Sequence, residues 1–212
     1  MNTLVVKYIN NFLNEEIIQG AALQLDHLEK HNLSCIPWPA FPYKPGVCFS
    51  IAHSSTHIFL KYYVEEKAIR AVNTAINSTV WEDSCVEFFI SFNNGVSYYN
   101  IEFNCTGTGL IGYGKTKTNR ELLPPGVVTK VRSMAVITPL DSDKICWQLT
   151  LAIPLQVFIY STLVSLKGTG CLANFYKCGD LLPEPHFVAW SNIQSQQPNF
   201  HLPEFFGKLV FE

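Results

Sequence analysis

Two glutamates in neighbouring runs of alternating sequence are the residues best placed to do chemistry. Glu87 lies in Cys85-Val86-Glu87-Phe88-Phe89-Ile90-Ser91-Phe92, and Glu102 in Tyr98-Tyr99-Asn100-Ile101-Glu102-Phe103-Asn104. Side chains alternate between the two faces of a strand. Val86, Phe88, Ile90 and Phe92 therefore share an apolar face, with Cys85, Glu87, Phe89 and Ser91 opposite. Tyr99, Ile101 and Phe103 read as core, with Tyr98, Asn100, Glu102 and Asn104 on the other side. Asn93-Asn94-Gly95, residue types that tolerate positive φ, joins the runs 85–92 and 97–104 as a hairpin. Glu87 and Glu102 then share a face. A carboxylate pair can work as acid and base on a glycoside at about 5–5.5 Å or about 6.5–9.5 Å separation. It can equally bond hydroxyls, or pair with Lys61, Arg120 or Lys177.

The same sorting sets Lys61 and Tyr63, Gln148 and Thr150, and Asn174 and Tyr176 opposite core residues of their own runs, so five strands present polar or aromatic groups on one face. Polar outer faces are ordinary in antiparallel sheets. Here the types are amides, carboxylates and tyrosines, which suit sugar hydroxyls that both donate and accept. Cys178-Gly179-Asp180 with Glu184 and His186 offers thiol, carboxylate and imidazole ligands, but its spacing matches no zinc pattern. The prolines at 183 and 185 make it a rigid loop suited to shaping a site. His53, His57 and His201 lack partners in sequence and read as structural. Gly112 and Gly114 with Lys115, Lys117 and Arg120 lack the strand-to-helix context of a phosphate loop.

The elements that must hold these groups are strands. Runs at 47–52, 57–65, 68–74, 85–92, 97–104, 109–114, 127–138, 145–153, 170–177 and 207–211 are rich in β-branched and aromatic residues and bounded by turn formers. About ten strands predict an all-β antiparallel sandwich with jelly-roll or Greek-key connections. One short N-terminal helix is predicted over 15–30, where Ile18, Ala21, Ala22, Leu25 and Leu28 follow Asn14 as a cap. Four prolines make 34–46 an extended crossing segment carrying Trp38, and Pro154 ends the 145–153 run, so that residues 155–166 are read as a short helical or irregular crossover. The 212 residues form one domain, with 1–35 an extension packed on it.

Fifteen Lys and Arg against seventeen Asp and Glu leave a net charge of −2, which gives no footprint for nucleic acid or an anionic membrane. A hydrophobic fraction of 48% with only 15% charged residues excludes disorder. Seven cysteines without a CxxC pair read as reduced thiols. With no basic leader and no run of 18 apolar residues, a cytoplasmic location is expected.

The segment Thr79-Val80-Trp81-Glu82-Asp83-Ser84-Cys85-Val86-Glu87-Phe88-Phe89-Ile90 resembles the family 9 carbohydrate-binding modules. The likeness continues through Tyr98–Asn104, through Trp147-Gln148-Leu149-Thr150-Leu151-Ala152-Ile153-Pro154, and through Ala173–Lys177 followed by His186–Trp190, covering about residues 36–212. It implies a β-sandwich and a sugar at a chain end held between two tryptophans, Trp81 and Trp190, with Glu87 as the carboxylate. Phe187 stands near the second tryptophan, where the family pattern would place a polar residue. The resemblance also implies structural calcium, for which only the scattered Asp83, Asp141 and Asp143 offer themselves, so calcium stays possible and unassigned. Trp147 is read as core, and Trp38 as edge plug or site wall.

The reading is non-catalytic binding of a mono- or oligosaccharide by Trp81, Glu87 and Trp190, supported by Glu102, Asn104, Asn100 and Tyr176, with no cofactor required. Two alternatives from other classes stand beside it. One is a glycosidase-like enzyme using Glu87 and Glu102. The other is a scaffold whose aromatic loops hold a protein partner.

Overall fold

The computed structural model describes residues 2–10, 16–139 and 144–212. Its thirteen strands are β1 (Thr3–Tyr8), β2 (His31–Asn32), β3 (Gly46–His53), β4 (His57–Glu66), β5 (Cys85–Ser91), β6 (Tyr98–Asn104), β7 (Gly109–Gly114), β8 (Arg120–Leu122), β9 (Arg132–Pro139), β10 (Ile145–Pro154), β11 (Gly170–Cys178), β12 (Phe187–Ala189) and β13 (Gly207–Phe211). Two helices accompany them, α1 (Ile17–Asp26) and α2 (Pro125–Val128). The strands run in the order β8-β7-β6-β5-β11-β13-β1-β3-β4-β10-β9, with β12 on β11 and β2 on β3. The sheet curls so that its two halves pack face to face as a sandwich.

The seam is β1, which pairs in parallel with β13 at its start and with β3 at its end. The prediction of uniformly antiparallel pairing therefore fails at one place, where an N-terminal strand closes the fold. Between the halves lie Phe88 and Phe175 from one and Phe49, Tyr62 and Trp147 from the other. Phe49 and Phe175 stack at 3.8 Å across the gap. The predicted alternation of Val86, Phe88, Ile90, Tyr99, Ile101 and Phe103 into this core is observed.

Each outer face is covered differently. The apolar stripe Ile17, Ala21 and Leu25 of α1 packs on Ala52, Phe59 and Ala152 of the β3-β4-β10 half. On the other half, Trp38 of the proline-rich segment and Ile193, Phe200 and Phe206 of the C-terminal loops lie on Phe89, Tyr98 and Tyr176. The polar face predicted across five strands is thus two faces. Lys61 and Tyr63 turn toward α1, both bonding Asp26 at 2.6 and 2.7 Å, while Glu87, Asn100 and Glu102 lie on the far side of the sandwich. The strand order separates β4 and β10 from β5, β6 and β11, so their outward faces point apart.

The predicted strand at 68–74 is irregular. Its backbone N–H groups are taken by side chains instead of a neighbouring strand: Arg70 donates to Ser84 Oγ, and Val72 and Asn73 donate to Asp83. The start of the predicted run 127–138 falls in the single turn of α2, which Pro124 precedes and Pro125 opens, proline suiting the first helical position, and the strand starts at Arg132. The hairpin at 93–95 forms as predicted, with Asn94 and Gly95 at φ of 57° and 82°. The Asn14 cap falls outside the described residues, and α1 starts after Glu16 with no side-chain cap bond.

One buried ion pair ties the halves together. Lys177 of β11 and Glu66 of β4 meet at 2.9 Å with both side chains wholly buried. Lys177 also donates to the Cys178 carbonyl and to His186 Nε2, each at 2.8 Å, and Trp147 Nε1 donates to Glu66 at 2.6 Å. Removing one member of such a pair strands a buried charge. Glu66→Ala is expected to lower the free energy of unfolding by about 3–5 kcal/mol in urea titrations. A loss well below 1 kcal/mol would show that the ammonium is satisfied without the carboxylate.

Candidate functional site

The outer face of β5, β6 and β11 floors a pocket that encloses, with its mouth, about 560 Å³. Glu87, Glu102 and Cys178 form the floor. Trp81, Asp180, Phe200 and His201 stand on turns and loops around it, with Phe187 at the start of β12, Arg120 at the start of β8 and Lys117 on the β7–β8 connection also in the lining.

Glu87 and Glu102 are direct cross-strand partners in the β5–β6 pair, and each is 3% exposed or less. Direct partners hold their Cβ atoms about 4.5–5.5 Å apart. Glu102 accepts from Asn100 Nδ2 at 2.8 Å and from Arg120 Nη1 at 3.3 Å. Glu87 accepts from the Cys178 thiol at 3.1 Å. Burial raises both carboxyls above the usual carboxylate range. The charge of Glu102 pushes Glu87 further up, while Arg120 and the amide of Asn100 pull Glu102 back. Both carboxyls are therefore pushed toward the protonated form, in which a carboxyl donates as well as accepts.

Arg120 also donates to His201 Nε2 at 3.2 Å, which leaves Nδ1 to donate to the Tyr98 hydroxyl at 3.0 Å. Burial, with Arg120 beside it, lowers the imidazole to about 3, so His201 is neutral. Desolvation raises Asp180 to about 6.

Trp81 sits in a single 3-10 turn, Val80–Glu82, immediately before β5. Its carbonyl accepts from Asp180 N at 3.2 Å, and Glu82 O accepts from Leu181 N at 3.1 Å. The tryptophan turn and the β11–β12 loop are therefore held side by side. Phe187 packs edge-on to Phe41 and Trp38, and Trp38 Nε1 is anchored on the Ser195 carbonyl at 3.1 Å. Phe200 stacks on Tyr176 at 4.1 Å.

Of the residues singled out from sequence, Trp81, Glu87 and Glu102 line the pocket. Asn100 lies behind Glu102 and fits because its partner across β6–β7 is Gly112: a Cβ there would come 2.6 Å from Asn100 Oδ1. Tyr176 lies beneath Phe200 and bonds its carbonyl at 3.2 Å. Asn104 serves the architecture, donating to Asp83 and accepting from the N–H groups of Thr106 and Thr108.

The structure places Trp190 elsewhere. Its ring stands edge-on to Phe49 and Phe175 in the inter-sheet core, away from the pocket lining. Residue 189 is the last of β12 and faces out with Phe187, so the alternation carries 190 inward. The paired tryptophans implied by the resemblance are thus not paired here. Trp147 is core as read, and Trp38 backs the aromatic wall.

Arg120 was named from sequence as one of three cations that could pair with the carboxylates, and it pairs with Glu102 at 3.3 Å, whereas Phe200 was not assigned to the site and His201 was read as structural. Nothing local marks them, since the loop after Trp190 folds back over β11 by tertiary packing alone. The 178–186 stretch did carry a signal, and the structure divides it. Cys178 and Asp180 line the pocket, His186 bonds Lys177, and the Glu184 carboxylate pairs with Lys67 at 2.8 Å.

Asp83, the one of the three named aspartates among the described residues, does not fit calcium. Asp83 receives Arg70, Asn104 and the N–H groups of Val72 and Asn73, so its oxygens face donors. Asp141 and Asp143 lie outside the described residues. The group of three close potential ligand side chains that the described residues do contain, Cys85, Glu87 and Cys178, brings two sulfurs, which a hard oxygen-seeking cation avoids.

The model of carbohydrate-binding family 9 matches residues 18–211, and the chain belongs to this family. No curated protein matches it. Among solved structures, a candidate carbohydrate-binding protein from Bacteroides uniformis ATCC 8492 is 37% identical, with 99% of each chain covered and a TM-score of 0.89. A family 9 carbohydrate-binding module from Caldicellulosiruptor kristjanssonii shares the fold at 12% identity. Its glucose complex gives a TM-score of 0.61 over 100% of this chain and 96% of that one, and its cellotriose complex 0.63 over 100% and 94%.

Asp180 supplies a test of the site's electrostatics. Its carboxyl is raised in the folded state, so the native chain holds a proton that the unfolded chain releases, and folding is penalised as pH rises through about 4 to 6. Asp180→Asn is expected to raise the urea midpoint relative to wild type near pH 7.5, the gain vanishing by about pH 4. An equal gain at both pH values would place the effect outside this titration.

Proposed function

We propose that this chain is a non-catalytic carbohydrate-binding unit that takes the terminal residue of a saccharide into the pocket above Glu87 and Glu102. The observation that carries the reading is the convergence, in one small pocket, of aromatic side chains with a buried carboxyl pair. Pyranose C–H faces pack on aromatic rings, while the ring hydroxyls need donors and acceptors. Trp81 is the stacking tryptophan in this reading. Phe187 and Phe200 supply the remaining aromatic surface, in place of Trp190. Glu87 bonds a hydroxyl in both directions, Glu102 and Arg120 bond its neighbours, and Asn100 and Tyr176 hold the first layer in position. The glucose and cellotriose complexes of the family module from Caldicellulosiruptor kristjanssonii favour a neutral sugar of this kind.

One observation favours the enzyme alternative: Glu87 carries the raised carboxyl that a general acid needs. Two features weigh against it. The carboxyls rise side by side from one floor, where a glycosidase places its pair on either side of the scissile bond. Glu102 is also already engaged by Arg120 and Asn100. The scaffold alternative called for a dry apolar patch, and the convergent carboxyls argue against one.

Calorimetric titration with mono- and disaccharides and their alditols, with the same samples assayed for product, tests the reading. Saturable binding lost on reduction of the sugar is expected, without turnover. Trp81→Ala and Phe187→Ala should each weaken binding by at least about 1.5 kcal/mol, roughly tenfold. Trp190→Ala should lower stability and leave the affinity of the folded fraction near wild type. Product release would move Glu87 and Glu102 to a catalytic role, and unchanged affinity in both wall variants would remove the site.

A further inference from the structure

Cys85 and Cys178 are direct cross-strand partners in the β5–β11 pair, and Glu87 lies two residues along β5 on the same face. All three are buried, and their ligand atoms lie within 4.8 Å of one another, with Cys178 Sγ and Glu87 Oε1 at 3.1 Å. A tetrahedral zinc ion with sulfur at about 2.3 Å and oxygen at about 2.0–2.2 Å holds its ligand atoms about 3.5–3.8 Å apart. The 3.1 Å contact and the 4.8 Å limit on the separations lie on either side of that range.

We propose that Cys85, Glu87 and Cys178 form a binding site for a thiophilic divalent cation of the zinc class on the pocket floor. Two thiolates select this class over calcium or magnesium. Three protein ligands leave a fourth position, and Cys178, Glu87 and Asp180 open onto the pocket, which supplies both an entry path and room for a water there. The charges of the fold leave the cluster to a cation from outside. Lys177 points to the opposite face and is paired with Glu66, while Arg120 bonds Glu102 and His201. Without metal, burial keeps the Cys85 thiol protonated by raising it to about 12 and pushes Cys178 up as well. Metal uptake displaces the two thiol protons to solvent, so affinity rises with pH. Ligation likewise releases any proton held on Glu87 and takes its carboxylate from the hydroxyls above, and bound metal and bound sugar then compete.

The test uses the full chain, reduced and anaerobic, titrated with Co²⁺ as the probe. A single ion per chain with a sulfur-to-cobalt charge-transfer band is expected, displaced by Zn²⁺. The band should vanish in Cys85→Ser and Cys178→Ser and persist in Cys171→Ser, which alters a buried cysteine on the same strand β11 outside the cluster. In unaltered protein, Zn²⁺ should protect Cys85 and Cys178 from alkylation, as read by peptide mass mapping. This arm needs no variant to fold. A missing band at saturating cobalt, a band that survives Cys178→Ser, or alkylation indifferent to Zn²⁺ would each overturn the proposal. None of these readouts uses a sugar, so the metal site can fail while the saccharide reading stands.

Discussion

The contact on which both the fold and the pocket depend is the ion pair between Lys177 and Glu66, set where the two halves of the sandwich meet. An ammonium inside an apolar core is tolerated only with a carboxylate and further hydrogen bonds around it. Glu66, the Cys178 carbonyl and His186 supply them, with Trp147 bonding the far oxygen of Glu66. Alternation then does the rest. With Lys177 fixed inward, Tyr176 and Cys178 must face outward, one beneath the aromatic wall and the other on the pocket floor. His186, held at the same ammonium, is followed directly by Phe187, so the inner network also sets where the loop returns to the sheet. The imidazole serves as an acceptor there because burial and the nearby ammonium lower it to about 4.

A second constraint acts on the outer side. Two glutamates as direct cross-strand partners repel when both are ionised, and burial makes double ionisation costlier still. The structure resolves this unequally. Arg120 and Asn100 serve Glu102, while a thiol serves Glu87. A carboxyl held by a guanidinium and an amide therefore sits beside one held by a thiol, which gives the floor two distinct hydrogen-bonding characters from one residue type. For a ligand whose hydroxyls each present both a donor and an acceptor, that difference fixes orientation, which two equivalent carboxylates would not.

How much of this was legible in the sequence follows from what each feature depends on. The hairpin that sets Glu87 beside Glu102 was readable because turn chemistry and period-two alternation are local. Strands β1, β2, β8 and β12 were not, because runs of two to six residues offer too little alternation, and β1 is defined by partners far along the chain. The run at 68–74 has strand composition, but its donors are claimed by Asp83 and Ser84, a choice made by tertiary contacts. The single outer face read from alternation became two because face assignment is local while layer assignment follows strand order. Trp190 illustrates the same limit: its place near the loop that shapes the pocket was visible, and the inward turn of its ring was not.

The aromatic side of the pocket shows how the site stands without that tryptophan. Phe187 lacks an indole N–H, so it has no polar edge to satisfy and can be held from behind by ring contacts alone, edge-on to both Phe41 and Trp38. Trp38, whose indole is anchored on the Ser195 carbonyl, also packs at 5.8 Å against Phe200, so one buried residue supports two lining rings. Phe200 is in turn seated on Tyr176, directly across the β5–β11 pair from Glu87. The proline-rich crossing segment, which contributes no lining residue of its own, is therefore what converts a flat polar sheet face into a walled pocket. Its four prolines suit it to that task, because a segment that meets the sheet through the one bridge from Cys35 to Ala189 loses little when its other backbone donors are removed and gains from being stiff before it docks.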